Sequence, residues 1–155
     1  MLRDAAFLNN SSAPYGLLSL QMTYTEHDAR SILSSWSQED ARHAALSLYW
    51  DMGFAIAYGL FLSALTRSCV RGSSRFALVM AWVPIVAAFA DLAENLCHLM
   101  LLGTAYNGTE SHIGALVLAG FVFASTKWGL LASWSFLFLL RLVGTTLTGR
   151  TQKPG

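Results

Sequence analysis

The sequence predicts an all-α integral membrane protein, a helical bundle of three transmembrane helices with a short N-terminal amphipathic helix. Composition is the first reason: of 155 residues, 54% are apolar and 12% charged, against about a quarter charged in soluble domains, and the mean hydropathy is +0.46. The second is length, because three stretches reach the roughly 20 apolar residues that a helix needs to cross a bilayer core of about 30 Å. The third is punctuation, since arginines and turn-forming residues separate those stretches. With 10 Lys+Arg against 9 Asp+Glu, the net charge of +1 offers no basic surface, so nucleic acid is excluded as a partner. The partner the composition implies is the lipid bilayer.

Residues 1–43 are less apolar than the rest and read as an outer-face segment. Residues 1–8 are too short for a signal peptide. Thr25 followed by Asp28 has the form of a capping box, and Ala29, Ile32, Leu33 and Trp36 then recur at helical spacing, which predicts an amphipathic helix over about 26–36. Its apolar stripe has two possible seats, the membrane interface or the outer ends of the spans. Ser37 with Asp40 repeats the capping pattern, so the first long helix is expected to start near Gln38, ahead of the lipid.

The transmembrane bundle is assigned to 44–142, with spans of about 44–65, 76–100 and 113–140, followed by a cytoplasmic tail over 143–155. Arg67, Arg71 and Arg75 close the first gap, and Gly103 to His112 fill the second with turn residues. The third span contains Gly129 but no proline, so one long, tilted helix is expected. Lys and Arg near span ends favour the cytoplasmic side. The first gap and the tail, with Arg141, Arg150 and Lys153, carry such charges, whereas the second gap has none. Arg3, Arg30 and Arg42 are outnumbered by Asp4, Glu26, Asp28, Glu39 and Asp40 in the N-terminal segment. The expected orientation is N-terminus outside, C-terminus cytoplasmic, in a membrane the sequence does not specify. Sequons at Asn9, Asn10 and Asn107 all fall on the outer side and are compatible with it. Cys69 and Cys97 then lie toward opposite faces, which rules out a disulfide between them. Cys69 has the juxtamembrane setting of a palmitoylated thiol, but the plain thiol is the favoured reading.

Ionisable side chains within spans are costly, about 2.5–3.5 kcal/mol each on insertion scales, and so face partners or polar cavities. This chain places Asp51 in the first span, Asp91 and Glu94 in the second and Lys127 in the third. Asp91, Glu94, Asn95 and His98 follow the i, i+3, i+4, i+7 spacing of one helix face. At 1.5 Å per residue, Asp51 lies roughly 10 Å inside the outer end of its span, Asp91 about as far, and Lys127 roughly 20 Å. The lysine stem can snorkel outward, so all four charges are expected to converge in the outer half of the bilayer. Three acids against one lysine leave an excess of negative charge, to be relieved by protonation, a bound cation, an imidazolium at His98 or water.

Tyr58, seven residues after Asp51, and Trp134, seven after Lys127, stand on the faces that would wall a pocket, or are plain packing. Pro84 is expected to kink the second span. Gly53/Ala57 and Gly120/Ala124 read as small-residue packing pairs. Glu94 and His98 have the i, i+4 spacing of two metal ligands, a weak signal, with His43 and His112 at the outer span ends and His27 in the outer segment as remote additions. No phosphate loop, nucleophile elbow or paired-cysteine motif occurs. Hence no cofactor is expected and an enzyme is not favoured.

The order Pro14-Tyr-Gly-Leu-Leu, Trp36, Leu48-Tyr-Trp-Asp51 with Tyr58, Ala90-Asp-Leu-Ala-Glu-Asn95 and Lys127-Trp128 resembles a loosely defined group of small, uncharacterised multi-span membrane proteins. The resemblance covers most of the chain from Pro14 and implies a helical membrane bundle, without a known reaction. Proteins of that group usually begin with a further span. Residues 1–13 are too short and polar to supply one, so the expectation is a lost helix or a start that lies upstream.

Three functions fit these residues. The first is a binding or transport-accessory protein whose Asp51, Asp91, Glu94 and Lys127 receive a proton, cation or lipid headgroup, with a homo-oligomer or partner membrane protein completing it. The second is a structural or assembly subunit whose ion pairs fix helix packing. The third, less favoured, is a lipid-modifying enzyme with Asp91 or Glu94 as general acid or base and His98 assisting.

Overall fold

Helix starts in this chain are set by side chains that satisfy orphaned backbone N–H groups. In the computed structural model, which describes residues 8–69, 75–107 and 112–149, Thr25 Oγ1 accepts from the backbone N–H of Asp28 at 3.2 Å and opens α2, Glu26–Ser35. Ser37 Oγ accepts from the N–H of Asp40 at 3.2 Å, and Asp40 Oδ2 accepts in return from the N–H of Ser37 at 2.8 Å. That reciprocal box opens α3, Gln38–Cys69. Ahead of both lies a one-and-a-half-turn helix absent from the sequence reading, α1, Leu17–Met22, entered through Gly16 at φ 57. This left-handed backbone is open to glycine at no steric cost. Two long helices complete the fold, α4, Arg75–Asn107, and α5, Ile113–Gly149. Among the described residues there is no strand.

The architecture is all-helical, and α3, α4 and α5 are each long and apolar enough to cross a membrane. The middle helix α4 packs along both α3 and α5, while α3 and α5 approach each other chiefly through side chains. Large apolar residues such as Trp50, Phe61, Trp82, Phe89, Phe136 and Leu140 point away from the bundle. Its inside is layered. At one end Leu20, Ile32, Leu33 and Trp36 of the N-terminal segment pack over Leu48, Leu101 and Val117 of the long helices. The amphipathic stripe of α2 therefore covers the bundle end, which selects one of its two possible seats. Trp36 Nε1–H donates to the Leu8 carbonyl at 3.2 Å and fastens the cap. At the other end Met80, Trp134 and Phe138 form a second apolar cluster, with the two rings stacked at 4.9 Å. The polar side chains lie between these clusters.

Several expectations need correction. Gly103 to Asn107 do not form a turn but extend α4. Tyr106 explains the extension: its hydroxyl sits 3.1 Å from the Trp36 carbonyl, with those of Leu33 and Ser37 at 3.3 and 3.4 Å, so the last turn of α4 is tied to the α2–α3 junction. The helix α5 runs on past the expected span as far as Gly149, and Cys69 is the last residue of α3; neither contradicts a tail from 143 or a Cys69 beyond the first span. Gly53 and Ala57 face outward, with nothing within 4 Å of a Cβ placed on Gly53. The packing face of α3 runs instead through Leu48, Ala55, Gly59 and Ser63. Arg3, Asp4, Arg71, Arg150 and Lys153, residues 108–111 of the second gap and the last two positions of the Asn107 sequon lie outside the described residues.

Trp134 takes the packing role, in the apolar cluster with Met80 and Phe138. Its Nε1–H donates to Thr66 Oγ1 at 3.1 Å, while the Thr66 hydroxyl donates to the Leu62 carbonyl at 2.8 Å. Thr66→Val keeps the shape and orphans the buried indole N–H, so a loss of about 1–3 kcal/mol is expected. Chemical denaturation in detergent micelles measures it, and an unchanged midpoint would show that the indole finds another acceptor.

Candidate functional site

The polar layer is built from one face of α4 and single residues of its two neighbours. Asp91, Glu94, Asn95 and His98 occupy two turns of α4 and are 3%, 1%, 0% and 2% exposed. Lys127 of α5 reaches between the first two, with Nζ 2.9 Å from Asp91 Oδ1 and 2.6 Å from Glu94 Oε2. The contact with Glu94 is an ion pair outside hydrogen-bond alignment. From α3, the Tyr58 hydroxyl donates to Asp91 Oδ2 at 3.0 Å, and Asn95 Nδ2 donates to Asp51 Oδ2 at 2.9 Å. Asn95 Nδ2 also lies 3.5 Å from Asp91 Oδ1, so six of the seven residues singled out as candidates form one network across α3, α4 and α5. The seventh, His98, stands one turn further along α4 with its ring against Gly120 of α5, where a Cβ would lie 3.1 Å from the imidazole. Glycine at 120 makes room for that ring.

The network divides the acids into two kinds. Asp91 has a partner on each oxygen, Lys127 on Oδ1 and Tyr58 on Oδ2, and Glu94 is paired with Lys127. Asp51 has the amide of Asn95 and, among the described residues, no cation at ion-pair distance. Asn95 Oδ1 is buried without a hydrogen-bond partner, an arrangement that is costly in a low-dielectric interior. The one positive charge of the layer is shared by the two acids of α4, and Asp51 is left without a cation among the described residues.

His98 Nδ1 is 2.9 Å from the Glu94 backbone carbonyl, while the Glu94 carboxylate turns to Lys127. Among the described residues no group of three His, Cys, Asp or Glu side chains is placed to hold a metal ion. His43 lies 4.0 Å from Glu39 in the first turns of α3 and is remote from the cluster. His27 and His112 are exposed. Pro84 is buried in the α3–α4 contact beside Gly59, so its place is in packing.

An open cleft of about 550 Å³ reaches the layer from the side, within the range of about 300–1,000 Å³ typical of small-molecule sites. Asp51, Glu94 and Lys127 lie at its floor, Gln21 and Ser125 add polar groups, and Leu18, Met22, Phe121, Ala124 and Trp128 form apolar walls. Leu18, Met22 and Trp128 are 48%, 64% and 64% exposed, so the cleft opens past them to the surroundings. Tyr24 packs on Phe121 with ring centroids 5.6 Å apart, which holds the segment after α1 against α5. Lys127 Nζ lies 5.4 Å from the Trp128 ring centroid, within cation–π range. The α1 wall was not read from the sequence, because six residues are too few to show a helical period. Trp128, adjacent to Lys127, was the available signal for the α5 wall. Compared with known proteins, the chain matches no family model, no curated protein and no solved structure.

Proposed function

We propose that this chain is a small polytopic membrane protein, N-terminus outside and C-terminus cytoplasmic, that binds a proton, a cation or a lipid headgroup in the outer half of the bilayer. It acts as a binding or transport-accessory protein and is related to the small multi-span proteins that its motifs resemble. Three spans are few for an autonomous transporter with a midplane site, so a second copy or a partner membrane protein completes the working unit. The observation that carries this reading is the cleft whose floor holds Asp51, Glu94 and Lys127. A purely architectural ion pair has no need of a roomy entrance. The cap of α1 and α2 lies over the end of the bundle nearer this layer, as an outer-face segment would.

A structural reading has its own support, because Lys127 is doubly paired and both oxygens of Asp91 are engaged, by Lys127 of α5 and Tyr58 of α3. In that role the ion pairs lock helix register or dock a partner's span. Native mass spectrometry of the gently purified protein separates the two. The wild type is expected to carry a specific lipid or cation that Asp91→Asn/Glu94→Gln loses while keeping its helicity. If neither protein carries anything, and the double variant is merely less stable or sheds a partner chain, the architectural role stands instead.

A further inference from the structure

We infer that the cleft takes an amphiphile with a cationic nitrogen headgroup, which pairs with Asp51 while its apolar chain lies along Leu18, Met22, Phe121 and Trp128. The inference rests on the membrane-binding reading above and specifies its ligand. Its first ground is charge. An anionic headgroup meets the carboxylates of Asp51 and Glu94, and the one ammonium in the cleft already serves Asp91 and Glu94. A cation meets Asp51, which lines the cleft, is only partly buried, and has a single hydrogen-bond partner in Asn95. A charge that far inside an apolar bundle is stabilised by a counter-ion, and none comes from the described residues.

The second ground is the wall. A bare divalent cation such as Ca²⁺ takes six to eight oxygen ligands, whereas the cleft presents Asp51 and Glu94 with Gln21 and Ser125, and its remaining lining is apolar or aromatic apart from Lys127. An alkyl chain matches those walls by burying apolar surface. The Trp128 ring serves the chain as an apolar wall, its cation–π contact being taken by Lys127. The third ground is Glu94, whose carboxylate also lines the cleft and shares its one ammonium with Asp91, so a second acid faces a cation bound there. The chemistry recognised, a cationic nitrogen on an apolar chain, occurs both in choline lipids of the bilayer and in free single-chain amines.

The test is native mass spectrometry of the full chain released from neutral maltoside micelles after titration with dodecyltrimethylammonium, dodecanol or dodecyl sulfate. The wild type is expected to retain one equivalent of the ammonium amphiphile in preference to the other two, and Asp51→Asn to weaken that retention by about tenfold or more, the scale of a lost close charge pair. Trp128→Ala, at an exposed wall position, is expected to weaken it as well and serves if Asp51→Asn does not fold. Added phosphatidylcholine that displaces the ammonium probe, when phosphatidylglycerol does not, identifies the bilayer as the source; displacement by neither identifies a free amphiphile, and both results agree with the inference. Equal retention of the ammonium probe by wild type and a folded Asp51→Asn, or a preference for dodecyl sulfate, overturns the amine assignment. The broader binding reading survives that result if the wild type still carries a lipid or cation that Asp91→Asn/Glu94→Gln loses. An empty wild type under every condition overturns both.

Discussion

Lys127→Met is expected to destabilise the protein by about 3–5 kcal/mol, the cost of leaving buried carboxylates without their partner. Lys127 is 7% exposed and pairs with Asp91 and Glu94, themselves 3% and 1% exposed. Methionine matches the stem in length, so the loss isolates the ammonium. Asp91 keeps its bond from Tyr58, but Glu94 loses the one partner its carboxylate has. Thermal and chemical unfolding in micelles measure the change. The triple variant Lys127→Met/Asp91→Asn/Glu94→Gln is expected to recover most of it, because a neutral layer no longer carries uncompensated charge. A Lys127→Met protein as stable as wild type would show that both acids are already neutral in the folded state, and that the ammonium holds nothing together.

The local and the tertiary parts of this fold differ in how legible they are. Thr25 with Asp28 and Ser37 with Asp40 mark helix starts because a cap is a contact between near neighbours, and the structure has helices beginning at Glu26 and Gln38. The face carrying Asp91, Glu94 and Asn95 is equally local, since helical geometry alone aligns residues three and four apart. Lys127 was placed beside it by depth along two antiparallel helices, an argument that needs only the rise per residue. Gly103 to Asn107 misled because glycine, threonine and asparagine favour turns, whereas the helix there is held by Tyr106 reaching carbonyls about seventy residues away. The sequence left Trp134 open between wall and packing for a different reason. Seven residues along a helix share a face but lie about 10 Å apart, so Lys127 sits in the polar layer while Trp134 sits in the far apolar cluster. The split between Asp51 and the paired acids was invisible for a third reason: it depends on which carboxylate the single ammonium reaches.

Gly59→Ala is expected to be the most damaging loss or gain of a single methyl group at the α3–α4 contact, at about 1–3 kcal/mol. The sequence offers two small-residue pairs on α3 in neighbouring registers, Gly53/Ala57 and Ala55/Gly59. A Cβ at Gly59 would lie 2.7 Å from Ala88 Cβ and 3.4 Å from the Pro84 carbonyl oxygen, whereas one at Gly53 meets nothing within 4 Å. Ala88 Cβ is rigidly attached to its backbone, so the two helices must part rather than a side chain swing away. Tyr58 and Asp51 ride on the same helix, so their bonds to Asp91 and Asn95 lengthen as α3 is pushed off. The damage therefore extends from stability to the cleft. Gly53→Ala supplies the control and is expected to leave the unfolding midpoint unchanged or slightly raised, given alanine's better helix propensity. Gly59→Ala/Ala88→Gly removes the clash from the other side and is expected to restore helix contact, less about 1 kcal/mol for glycine within a helix. Equal midpoints for Gly59→Ala and Gly53→Ala would mean that α3 packs on α4 through another face, and the bonds from Tyr58 and to Asp51 would then lack the geometry on which the binding site depends.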